Sequence, residues 1–126
     1  MPFKDPSLPL SDIQDAIARI DDFTAGMDFE DFRQDPKTVA AVERKLQLIS
    51  EAAIRLGEEA ERLCPGPQWR NIRGLGNWLR HQYDRIDLET IWRTVRSDLP
   101  SLRRAVESAI SRPPESPGGG GPGGVI

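Results

Sequence analysis

Cysteine, histidine and tyrosine each occur once in the 126 residues, at Cys64, His81 and Tyr83. A lone cysteine excludes an intramolecular disulfide and any multi-cysteine metal site, so packing must hold the fold. No window approaches the roughly 18 apolar residues of a membrane span, and no basic stretch followed by an apolar run opens the chain. A soluble, cytoplasmic protein is expected. Strict apolar–polar alternation is also missing, which leaves no basis for strands.

What is present is helical periodicity. The length suits one domain, which at this size buries about two thirds of its unfolded surface. Leu10 to Met27 carries Ser11 and Gln14 in capping-box positions, then Ile13, Ile17, Ile20 and Thr24 or Met27 at helical spacing. Asp35 and Pro36 form an N-cap and first-turn pair. Beyond them Val39, Val42, Leu46, Ile49, Ala53, Leu56, Ala60 and Leu63 make one apolar seam, implying a helix of about 28 residues, roughly 42 Å long. It ends at Cys64–Pro67, CPGP, because proline does not continue a helix.

A third helix carries Trp69, Ile72, Leu75 and Leu79 on its inner stripe. After Asp87, a good N-cap, a fourth shows Leu88, Ile91, Trp92, Val95, Leu99, Leu102 and Val106, kinked or restarted at Pro100. The expected fold is all-α, an up-and-down bundle of four main helices with a short helical or loop segment around Phe29 to Phe32. The bundle is expected over residues 1–111. From Arg112 onward the sequence is almost wholly proline, glycine and serine, the composition of a disordered tail.

Charge is unevenly placed. Between Arg62 and Arg96 seven arginines face three acids, a net of +4, which leaves −7 for the rest of a chain whose total is −3. A basic face on an acidic protein suits a polyanion or an acidic partner, since local potential governs encounter; the plain alternative is arginines solvating helix faces. Within this region Arg73, Asn77 and His81 stand at i, i+4 and i+8 of the third helix, flanked by Arg80 and Arg85. Guanidinium groups hold phosphate oxygens and imidazole moves protons near neutral pH, so the face suits a phosphodiester. Tyr83 would point about 160° from His81 on a continuous helix. For both to line one cleft, the helix must end or distort near His81, or a second chain must bring its own Tyr83 across. Trp78, off the main stripe, fits dimer packing better than base stacking.

The stretch from Trp69 to Arg104, WRNIRGLGNWLRHQYDRIDLETIWRTVRSDLPSLRR, resembles the signature region of HepT-like proteins, a branch of the HEPN superfamily. The matching residues are Trp69, Gly74, Asn77, His81, Tyr83, Ile86, Asp87, Trp92, Leu99 and Pro100, with Glu51 and Ala52 of KLQLISEAAIRLG upstream. The likeness spans about Leu10 to Val106. It implies a homodimer in which arginine and histidine of both subunits line a cleft where RNA is cut without a metal or other cofactor. It also implies a toxin whose partner is a minimal nucleotidyltransferase antitoxin of the MntA type, which silences it by adding AMP to the motif tyrosine, here Tyr83. On that pattern His81 would be the general acid or base and Asn77 would position the phosphate.

The departure from the pattern is Gly76, which stands where the family's catalytic arginine belongs. Loss of one preorganised charge contact costs about 10²- to 10³-fold in rate. Three readings follow: Arg73 or Arg80 supplies the charge from another position; a partner supplies it; or the domain is a non-catalytic HEPN module that dimerises and binds RNA or a nucleotidyltransferase.

Overall fold

In a computed structural model describing residues 5–81 and 87–111, every regular element is helical. The elements are α1 (Ser7–Thr24), α2 (Phe29–Arg33), α3 (Pro36–Leu56), α4 (Glu59–Leu63), α5 (Trp69–Arg80), α6 (Leu88–Arg93), a π-helical turn (Thr94–Asp98) and α7 (Leu99–Ser111). The expected tail from Arg112, and Tyr83 and Arg85, lie outside the described residues.

Helix α3 is the spine, packing α1 on one side and α5 on the other, while α7 lies against α1. Ion pairs fix the directions. Arg55 near the end of α3 meets Asp12 near the start of α1, and Arg103 in α7 meets Asp21 near the end of α1. Arg73 of α5 reaches Gly57 and Glu61 just beyond α3. Each packed pair of long helices therefore runs antiparallel, giving an up-and-down bundle.

The starts of the helices follow the local chemistry. Asp35 accepts from Thr38 N at 3.1 Å with Pro36 in the first turn, and Asp87 accepts from Thr90 N at 3.2 Å and Thr90 Oγ1 at 2.6 Å. Asp28 and Asp31 close a reciprocal capping box on α2. Helix α1 begins earlier than its Ser11–Gln14 pattern suggested, because Asp5 accepts from both the N–H and the hydroxyl of Ser7.

The expected 28-residue helix is interrupted. Gly57, at φ +58°, closes α3 by donating its N–H to Ala53 and Ile54 carbonyls, and α4 resumes two residues later. Glycine takes this left-handed φ at little cost. The apolar seam survives the break as far as Ala60, buried in the core with Val42, Leu46, Ile49 and Ala53, but at its end Cys64 takes the buried place and the expected Leu63 is only half-buried. Before Pro100 the chain widens into the π turn, in which Leu99 N–H donates to Thr94 O. Proline has no N–H to give and its ring crowds the carbonyl four residues back, so a local widening there accommodates it.

Trp69 is fully buried and donates its Nε1–H to Cys64 O at 2.8 Å, so the CPGP break and α5 are locked together. Trp92 is half-buried, 5.0 Å from the ring of Phe32, with the Arg96 guanidinium 4.5 Å above it. Trp78, Ile72 and Leu75 are half-buried at the core's edge. No helix among the described residues is long and apolar enough to cross a membrane.

Candidate functional site at the end of helix α5

Helix α5 presents two kinds of surface. Toward α3 it is close-packed: Gly76 is buried, and its N–H lies 3.1 Å from the Ser50 hydroxyl oxygen, which accepts. The same hydroxyl donates to Arg73 O at 2.9 Å. Ser50 is only 1% exposed, so these two bonds replace the water it has lost. A Cβ placed on Gly76 would lie 3.1 Å from Ser50 Oγ and 3.4 Å from Ser50 Cβ. Glycine here is a close-approach residue as well as the absence of an arginine.

Away from α3, the last turn is open. Asn77, Arg80 and His81 are all exposed. The helix ends at Arg80, and His81 is its C-cap with φ −98° and ψ 9°. The His81 N–H donates to Asn77 O and Trp78 O at 3.2 and 3.1 Å, and its Nδ1 is 2.8 Å from Asn77 O. A carbonyl oxygen only accepts, so Nδ1 carries the hydrogen and, in the neutral ring, Nε2 holds the lone pair. Backbone of the helix end thus fixes both the position and the tautomer of the imidazole. The position of Tyr83 relative to this imidazole lies outside the described residues.

The two candidate arginines differ. Arg73 is half-buried, donating to Gly57 O at 3.2 Å and to both carboxylate oxygens of Glu61, at 3.3 and 2.5 Å. Its hydrogen bond holds the Glu61 carboxyl below the usual glutamate value. An i+8 spacing drifts about 80° around a helix and about 12 Å along it, so Arg73 sits at the α3-facing edge while His81 faces outward. The last turn of α5 carries Asn77, Arg80 and His81 on its exposed surface, with His81 bonded to Asn77, whereas Arg73 is tied to the α3–α4 junction.

The Arg80 guanidinium makes no hydrogen bond or ion pair with the described residues, while its backbone belongs to the last turn of α5. Its Nη1 lies 3.6 Å from where a Cβ on Gly76 would begin. Among the other described arginines of the basic stretch, Arg62 pairs with Glu59 and Arg96 binds Met27 O, whereas Arg70 and Arg93 make no such bond to the described residues. Ser50 was not visible as part of this site in the sequence. The signal that could have found it is a small hydroxyl residue beside the α3 seam, facing a helix that carries glycine at 74 and 76.

A helical bundle whose spine packs a helix ending in exposed asparagine, arginine and histidine defines a class of small all-α domains. The match to known proteins is specific. The family model described as ribonuclease HepT-like covers residues 13–109. A Thermococcus cleftensis protein named "Probable ribonuclease HepT" is 40% identical over 98 residues, covering 78% of this chain and 89% of its own. A Methanocaldococcus jannaschii protein named "Putative RNase MJ0127" is 36% identical over 110 residues, covering 87% and 91%. No solved structure matches the chain. The chain belongs to the HepT-like ribonuclease family.

Proposed function

We propose that this protein is a metal-independent endoribonuclease in which His81 performs the proton transfer. The observation that carries this reading is the imidazole at the end of α5, its Nδ1 held by Asn77 O so that Nε2 is the working nitrogen. In RNA the neighbouring 2′-hydroxyl is the nucleophile. Its oxygen forms a bond to phosphorus as Nε2 takes the proton, and the bond from phosphorus to the 5′-oxygen breaks. The leaving oxygen gains a proton, giving a 2′,3′-cyclic phosphate and a 5′-hydroxyl. Asn77 orients the phosphate, and a guanidinium, from Arg73 or Arg80, offsets charge on its oxygens.

Trp78, off the main apolar stripe and only half-buried at the core's edge, supports packing against a second copy, which would set two imidazoles around one cleft. Family membership supports a toxin held in check by a nucleotidyltransferase antitoxin of the MntA type, with Tyr83 as the adenylylated residue and the cytoplasm as its place of action. Gly76 favours a second reading, a non-catalytic module that dimerises and binds RNA or the nucleotidyltransferase. Cleavage of RNA by the purified chain decides between them. His81→Ala is expected to lower the cleavage rate by about 10²- to 10⁴-fold and to relieve growth arrest on expression. RNA binding without cleavage, and toxicity indifferent to His81, would establish the module instead.

A further inference from the structure

We infer that Arg80 is the guanidinium that meets the RNA phosphate, and that Gly76 is the residue that leaves it room. This rests on the reading of the α5 end as an RNA site and identifies which cation serves it.

Three observations carry it. Arg73 is committed, with hydrogen bonds to Gly57 O and Glu61 that point it back along the helix toward α4. Arg80 has no such commitment among the described residues. Helix geometry puts it one turn beyond Gly76, about 60° from Asn77 and next in sequence to His81. The third is the space itself. Arg80 Nη1 is 3.6 Å from the Cβ position of residue 76, so a longer side chain growing in that direction would meet the guanidinium. Ser50 closes the other side at 3.1 Å, which prevents a longer side chain from turning inward. An arginine at 76 and the present Arg80 therefore compete for one place, and this chain has filled it from the later position. Ser50 acts as a positioning residue, since its two hydrogen bonds hold α5 at a separation where a Cβ on residue 76 would lie 3.1 Å from the Ser50 hydroxyl.

The arrangement suits phosphate chemically. A guanidinium offers a planar fork of donors that matches two phosphate oxygens, and at an exposed helix end it can turn toward a bound strand without breaking an existing bond. A cation in the last turn is also favoured by the helix dipole. That effect alone would explain its presence but not its place over Gly76.

The test uses the full chain and a 2′-O-methyl RNA oligonucleotide, which lacks the nucleophile and stays uncut. Binding is followed by fluorescence anisotropy over a range of KCl concentrations. Each phosphate contact contributes about 0.7 to the slope of log K against log salt for a single strand. Arg80→Gln is expected to flatten the slope by about that amount, Arg80→Lys to keep it, and Arg19→Gln on α1 to leave it unchanged. Gly76→Gln, made on a Ser50→Ala background and checked for folding by thermal melting, is expected to flatten it as Arg80→Gln does, because the new side chain displaces the guanidinium. With cleavable RNA, Arg80→Gln lowers the rate about 10²- to 10³-fold.

An unchanged slope in Arg80→Gln overturns the inference, as does flattening by Arg73→Gln in its place. So does the absence of salt-dependent binding by the unmodified protein. If Arg80→Gln flattens the slope while His81→Ala leaves cleavage untouched, the phosphate contact stands and the role given to His81 falls. The two failures are thus told apart.

Discussion

At the N-terminal end of α5 Trp69 is sealed in the core with its indole N–H bonded to Cys64 O, and Arg73 is fastened to Gly57 and Glu61. Two turns later, Asn77, Arg80 and His81 stand exposed around the helix end. One helix holds an anchored half and a presented half, with Gly76 between them pressed against Ser50. In the first half Trp69 and Arg73 are bonded to the chain before α5 and contribute to holding the helix in place. In the second half Asn77, Arg80 and His81 are exposed, with His81 bonded to the Asn77 and Trp78 carbonyls of the helix end. A rigid element with one fastened end is the kind of support a reactive side chain needs.

Breaking the anchored half should have the largest effect. Trp69→Ala removes the largest buried side chain and its hydrogen bond, and is expected to lower unfolding free energy by about 3–5 kcal/mol in urea titration. A loss under ~1 kcal/mol would mean α5 is not fastened there.

The boundary between the halves should give a smaller effect whose sign depends on the background. Gly76→Ala improves helix propensity by roughly 0.5–1 kcal/mol, but its Cβ meets Ser50 Oγ at 3.1 Å. With Ser50 present the substitution is expected to be neutral or destabilising; after Ser50→Ala it should stabilise by about 0.5–1 kcal/mol. Strictly additive changes in that double-mutant cycle would show that the contact does not couple. The same cycle explains why a simple Gly76→Arg exchange is a poor way to restore an arginine: it would unsettle the helix contact and evict Arg80 together.

The smallest effect concerns pH. The Arg73 hydrogen bond lowers the Glu61 pKa from 4.5. A carboxyl depressed in the folded state contributes stability above its unfolded value and loses it as pH falls through the folded value. Below about pH 4.5, stability of the unmodified chain should therefore fall more steeply than that of Glu61→Gln, measured by denaturant midpoint against pH. Parallel curves would show that the ion pair leaves the fold indifferent.

Much of the bundle was legible because its signals are local. Asp35 and Asp87 cap the helices they were expected to cap, each through a side chain reaching a threonine three residues on. The seam of α3 was legible because burial repeats with the helical period. The break at Gly57 was not, since Ala60 returns to the buried side after the interruption and the pattern alone runs straight through it. For the candidate site, the residue types were legible. Histidine, asparagine and arginine at helical spacing mark a polar face, but a wheel does not reveal which arginine another element has already claimed. Tyr83, the expected site of modification, lies outside the described residues.

Sequence by itself determined a helical fold, the caps that start α3 and α6, and that the single histidine lies in an arginine-rich stretch, because caps, proline breaks and apolar periodicity act within a few residues. Tertiary structure decided which cation is available. Arg73 is held by Glu61, twelve residues earlier, and Gly76 is pressed by Ser50, twenty-six residues earlier. Contacts at such separations exist only once α3 and α5 have packed, and they alone leave Arg80 lying over a glycine beside His81.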